Sequence, residues 1–109
     1  MPGCCRETSF CAAETAHRRY VAIVISPHVR RLRDKVGHDL LLLPSTAVLP
    51  RDDDGRLLLV RLIDTGNWAT IGGAVEPDES PREGAVREAE EEAGVTVQLS
   101  GLLGVLGGP

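Results

Sequence analysis

Residues Gly73 to Val95, GAVEPDESPREGAVREAEEEAGV, decide how the rest of the chain is read. They describe a glycine-hinged loop feeding a short helix that ends in carboxylates. Ser80 is a good N-cap, Pro81 suits the first helical position, and Glu83 completes an S-x-x-E capping box. Gly94 can adopt the left-handed conformation that stops a helix. The spacing therefore predicts a helix over about residues 81–93. At roughly 100° per residue, Val86, Ala89 and Ala93 share one face, with the stem of Arg82 beside them. Glu88, Glu91 and Glu92 fall on the opposite face, three or four residues from one another.

A helix standing alone pays for this arrangement. Like charges at these spacings repel by roughly 0.2–0.5 kcal/mol per pair. The last turns of a helix also favour cations, by about 0.3–1 kcal/mol each. Glu90 adds one more negative charge. A solvated acidic face is the ordinary outcome for a Glu-rich helix. Here the acids crowd the unfavourable end and point one way, and a bound divalent cation would offset both costs. Hard oxygen donors without His or Cys suit Mg²⁺, with Mn²⁺ as the alternative, rather than zinc.

The pattern Gly73, Glu79 and then Arg87-Glu88-Ala89-Glu90-Glu91-Glu92-Ala93-Gly94-Val95 resembles the Nudix box of the Nudix hydrolases. Gly73, Glu79, Arg87, Glu88, Glu91, Glu92 and Gly94 all match its fixed positions. Ala89 stands where the family usually has a larger apolar residue. Ile71 precedes the Gly72-Gly73 pair where many members have Pro. These departures bear on packing and leave the charges intact. The resemblance implies an α+β, Nudix-type α/β/α sandwich with a mixed sheet. It further implies Mg²⁺-dependent hydrolysis of the pyrophosphate bond in a nucleoside diphosphate linked to another moiety. Carried over by position, Gly73 (through its carbonyl), Glu88, Glu91 and Glu92 would bind metal. Glu88 is the first candidate for the group that orients or deprotonates water, and Glu91 the second. Glu79 and Arg87 would pair and support the site. The substrate-binding residues stay unassigned.

At 109 residues the chain is at most one domain. Hydrophobic content of 42% and charged content of 26% are those of a globular protein in water. Three aromatic residues leave the core to Leu, Val, Ile and Ala. The net charge of −4 is uneven: residues 1–38 carry +4 and residues 39–109 carry −8. An acidic domain does not attract nucleic acid by its field. A phosphate substrate there needs metal ions to mask the charge. No apolar run approaches the ~18 residues of a membrane span, and no export signal is read. Cys4, Cys5 and Cys11 are odd in number and lack C-x-x-C spacing, which fits free thiols in a reducing cytoplasm.

Three regions follow. Residues 1–25 lack periodicity and read as a disordered extension. Residues 26–38 read as a basic N-terminal helix. It is capped by Ser26-Pro27 and stopped by Gly37, with Val29, Leu32 and Val36 as its apolar stripe. Arg30, Arg31, Arg33 and Lys35 read as its solvated face. Residues 39–109 read as the N-terminal part of a Nudix hydrolase domain. Thr46 and Val48 suit a strand. Arg51–Gly55 is a hairpin turn, Arg56–Ile63 a second strand, and Trp68–Val75 a third, broken at Gly72-Gly73. Val95–Leu99 reads as a strand, and Leu102–Leu106 continues in the same apolar style. The family's usual second long helix and further strands have no counterpart after Leu106, so the fold is expected to be incomplete. Leu99, Leu102, Leu103, Val105 and Leu106 are then expected to be exposed and to favour a homo-oligomer. The competing functional reading is a truncated, weak or inactive Nudix-like binding module.

Overall fold

The structure, a computed structural model, describes the backbone of residues 20–21 and all of residues 25–108. The cysteines, and most of the expected 1–25 extension, lie outside the described residues. Within that extension Tyr20–Val21 form a short strand, β1. Helix α1 (Pro27–Val36) follows, then strands β2 (Ser45–Val48), β3 (Val60–Leu62), β4 (Trp68–Ala69) and β5 (Ile71–Ala74), and finally helix α2 (Pro81–Glu88). The strands make two small sheets. In one, β3 pairs parallel with β1 and antiparallel with β4. In the other, β2 and β5 pair antiparallel, with Thr46 opposite Gly73 and Ala47 opposite Gly72.

The 51–55 turn forms as its Asp-Gly pair predicts. Gly55 takes a positive φ of 82°, and Arg51 bridges to Leu57 across it. Asp52 is the buried anchor of this turn. Its carboxylate accepts from Asp54 N (3.0 Å), Arg56 N (2.8 Å) and Arg56 Nε (2.7 Å). Burial works to raise its pKa, but these bonds outweigh burial and the net shift is downward.

Three strand expectations need correction. The Trp68–Val75 stretch breaks at Thr70, and Gly72-Gly73 lie inside β5. The second strand is confined to Val60–Leu62, because the chain before it is still closing the turn. Val95–Leu99 is not a strand among the described elements, yet Val95 and Val97 are buried in the core. Val97 makes an isolated bridge, so the expected strand is reduced to one bridging residue in a stretch packed on the core. Leu102, Leu103, Val105 and Leu106 are exposed as expected, whereas Leu99 is half-buried against the core.

The core is small: Val48, Val60, Ile71, Ala85, Ala89, Ala93, Val95 and Val97. Gly84, Ala85 and Ala89 let α2 settle closely on β2 and β5. Ala89, where a larger residue was the family's habit, is fully buried. The helix continues beyond Glu88 as one π-helical turn, Ala89–Ala93, ended by Gly94 at φ 65°. A spacing of four drifts by about 40° on an α-helix. The wider π turn offsets that drift and keeps Ala85, Ala89 and Ala93 all buried. The buried stripe therefore runs through Ala85, and Val86, expected on the apolar face, is only half-buried at its margin. Helix α1, by contrast, buries no residue.

Candidate metal and catalytic site

The site is built where the end of α2 meets β5. The capping box forms in full and sets where the helix begins. Ser80 Oγ accepts from Glu83 N (3.2 Å), and Glu83 Oε2 accepts from Ser80 N (2.7 Å). The Ser80 backbone and hydroxyl donors hold the Glu83 carboxyl below its ordinary pKa. Two turns later Arg87, Glu88, Glu91 and Glu92 arrive beside the paired glycines.

Those glycines are required by close approach. A Cβ on Gly72 would strike the Thr46 carbonyl oxygen and come within 2.9 Å of Ala47 Cα. A Cβ on Gly73 would occupy the place of the Glu88 carboxylate, lying 2.8 Å from its Cδ. The Glu88 side chain, only 12% exposed, thus lies directly over the Gly73 backbone. The sequence placed Glu88, Glu91 and Glu92 opposite the apolar face. The structure sets Glu88 and Glu92 at its border, where Glu92 Oε2 accepts from Gly72 N at 3.3 Å. Glu91 remains open to solvent.

Arg87 is the centre of the charge network. Its Nε and Nη2 donate to the two oxygens of Glu79 at 3.0 and 2.6 Å. Nη2 also donates to the Ala74 carbonyl (3.2 Å). Nη1 donates to Glu88 Oε1 (2.9 Å) and Glu91 Oε2 (3.1 Å). The Arg87–Glu79 pairing implied by the resemblance is present; the reach to Glu88 and Glu91 was not expected. The i,i+4 spacing of Arg87 and Glu91 was its available signal. The Arg87 hydrogen bonds, helped by Glu76 N donating to Glu79 Oε1 at 2.9 Å, lower the Glu79 pKa from 4.5 to about 2. The bonds to Glu79, then those to Glu88, push the Arg87 pKa up despite partial burial.

Glu92 shifts the other way. Burial raises its pKa, the Gly72 N–H opposes this, and the like charges of Glu88 and Glu91 raise it further. Among the described residues, no group of three or more His, Cys, Asp or Glu converges on one metal position. Two of the expected carboxylates, Glu88 and Glu91, are turned to Arg87 instead. The donor types still suit a hard divalent cation: Glu88 and Glu91 share one Arg87 nitrogen, and Glu92 sits on the Gly72 N–H, beside a glycine backbone. The acid cluster and the Asp52 turn remain separate, each with its own arginine.

Trp68, the lone tryptophan, is more than half exposed, with the Arg61 guanidinium 5.7 Å from its ring centre. It is an edge residue of β4 rather than part of the core.

Parts of the chain are similar to known proteins. A MutT-like protein of Streptomyces ambofaciens is 47% identical over 53 residues, covering 49% of this chain and 34% of that protein. A provisionally named 8-oxo-dGTP diphosphatase of Bacillus subtilis (strain 168) is 41% identical over 58 residues, 53% of this chain and 39% of that protein. Human diphosphoinositol polyphosphate phosphohydrolase 3-alpha is 55% identical over 38 residues, 35% of this chain and 23% of that protein. The chain thus matches well under half the length of each relative. The NUDIX domain model matches residues 41–108, which takes in every strand from β2 onward, α2 and the acid cluster. On that match, and on the box residues found together at the β5–α2 junction, the chain belongs to the NUDIX domain family.

Proposed function

We propose that this chain carries the metal-binding site of a pyrophosphohydrolase that cleaves the pyrophosphate bond of a nucleoside diphosphate linked to another moiety. One observation carries the reading: the Glu88 carboxylate lies on the Gly73 backbone, with Glu91 and Glu92 on the next turn. Glu88, Glu91, Glu92 and the Gly73 carbonyl would hold Mg²⁺ or Mn²⁺. When bound, such an ion neutralises phosphate charge and lowers the pKa of a ligated water. The chain's own residues do the rest. Glu88, almost buried and fixed by its neighbours, orients or deprotonates the attacking water. Glu91, exposed to solvent, is the second candidate for that role. Glu79 and Arg87 hold the 74–79 loop against the helix, so the carboxylates start from a fixed frame.

The relatives named for nucleotide and inositol-phosphate phosphohydrolysis support a small phosphorylated substrate. Among the described residues no helix is long and apolar enough to cross a membrane. A cytoplasmic location and no nucleic-acid partner complete the proposal. Assaying nucleotide-sugar and dinucleotide substrates with Mg²⁺ tests it. Wild-type protein should release phosphorylated products, and Glu91→Gln or Glu92→Gln should abolish release while the fold persists. Full activity in either variant would overturn the ligand assignment. The engagement of Glu88 and Glu91 by Arg87 favours a second reading, a non-catalytic Nudix module. Absence of turnover on every substrate despite metal binding would select it.

A further inference from the structure

Arg87 commits all five of its N–H donors, one to each of five acceptor contacts. The two edges of the guanidinium are not equivalent. The Nε/Nη2 edge is a bidentate fork on Glu79, which is 13% exposed, and it is tied to the β5 backbone at Ala74. Glu79 is in turn fixed by Glu76 N. The Nη1 edge makes one bond each to Glu88 and Glu91, and the second of these carboxylates is 60% exposed. Glu92 has no arginine contact among the described bonds and accepts only the long bond from Gly72 N.

We propose that the Nη1 edge of Arg87 is a stand-in cation for the acid cluster. A divalent metal displaces it from Glu88 and Glu91, while the opposite edge stays on Glu79 and Ala74. This rests on the metal-binding reading above and adds to it a role for Arg87 beyond loop support. The physical need is plain: carboxylates on adjacent turns repel, and a helix end does not favour them. A planar fork can neutralise two of them from one side without leaving its anchor. Until the metal's two positive charges arrive, the Nη1 edge partly neutralises Glu88 and Glu91 and keeps them aligned. Arg87 is therefore a positioning residue, and lysine cannot replace it, because one ammonium cannot span both edges.

The test is NMR of arginine-¹⁵N-labelled wild-type protein titrated with Mg²⁺ at low temperature, with calorimetry run in parallel. Arg87→Lys serves to assign the signals. On binding, the Nη1 protons should exchange with water about tenfold faster or more, the loss expected when charge-assisted hydrogen bonds break. The Nε–H signal should keep its shift and its protection. Mg²⁺ binding with unchanged Nη1 signals would overturn the exchange and leave the metal site standing. Simultaneous release of Nε and Nη1 would overturn the two-edge division. No heat of binding at millimolar Mg²⁺ would overturn both this inference and the reading beneath it.

Discussion

Helices α1 and α2 are written in the same local grammar and end as opposites. Each begins with Ser-Pro, each N-cap serine accepts from the N–H of the third residue of its helix, and each is closed by a glycine at positive φ. Yet α1 buries no residue, while α2 and its π turn supply Ala85, Ala89 and Ala93 to the core. Their charges differ as well. Arg33 of α1 donates to the carbonyls of Gly37 and Asp39, completing a C-terminus that favours cations. The end of α2 carries four glutamates against that preference and is tolerated because Arg87 and the strand backbone engage it. Local signals set where a helix starts and stops. Small residues on one face, and charge placed against the dipole, mark the helix to which the function is assigned by proposal.

Removing the floor of one helix and the stripe of the other should separate them most. Ile71→Ala, beneath α2, should cost about 2–5 kcal/mol by transfer and cavity terms. Leu32→Ala, on α1, should stay within about 0.5 kcal/mol, as substitutions outside a packed core do. Urea unfolding of both variants checks this, and equal losses would mean that α1 is packed in solution. Next come the caps. Ser80→Ala and Ser26→Ala each remove a bond worth about 0.5–2 kcal/mol to the local helix. Only the first should lower the global melting temperature. The second should appear as faster amide exchange confined to α1.

Acid titration sharpens the same contrast. Glu79, depressed to about 2, contributes stability that is full above 4.5 and lost as pH falls from there toward 2. Glu92 is raised, so its ionised form opposes folding above its folded pKa, and lowering pH through that value toward 4.5 relieves the cost. Melting temperature without metal should therefore rise slightly from neutral pH toward 4.5 and fall below it. Glu92→Gln should remove the rise, and Glu79→Gln should weaken the fall, with Glu83 and Asp52 supplying the remainder. A monotonic fall in wild type would contradict the Glu92 environment. The smallest change is expected at Arg30 and Arg31 on α1. Their exposure puts alanine substitutions within about 0.5 kcal/mol and leaves metal binding untouched.

Much of this was legible because it is local. The capping box, the Gly94 stop, the Asp-Gly turn and the acid cluster are short-range patterns with one physical solution each. The Arg87–Glu79 support followed from the resemblance. What escaped reading depends on tertiary contact. The π turn arises because Ala85, Ala89 and Ala93 share a buried face, which a fixed α-helical period cannot foresee. The burial of Val95 and Val97 in a stretch reduced to an isolated bridge, the break at Thr70 rather than at the glycines, and the lean of Glu88 onto Gly73 all require the second element to be in place. The buried anchor role of Asp52 was hidden among three consecutive aspartates.

The central claim is that the acid-ended helix, and not the basic one, holds a divalent cation. Calorimetric titration of Mg²⁺ into the wild-type chain and into Glu92→Gln tests it most directly, because Glu92 is the carboxylate that Arg87 does not engage. Wild type should bind at sub-millimolar to millimolar concentration and melt at a higher temperature with metal present. Glu92→Gln should bind at least about tenfold more weakly, a loss of about 1.4 kcal/mol. Indistinguishable titrations for the two proteins, or no binding by wild type at millimolar Mg²⁺, would contradict the account.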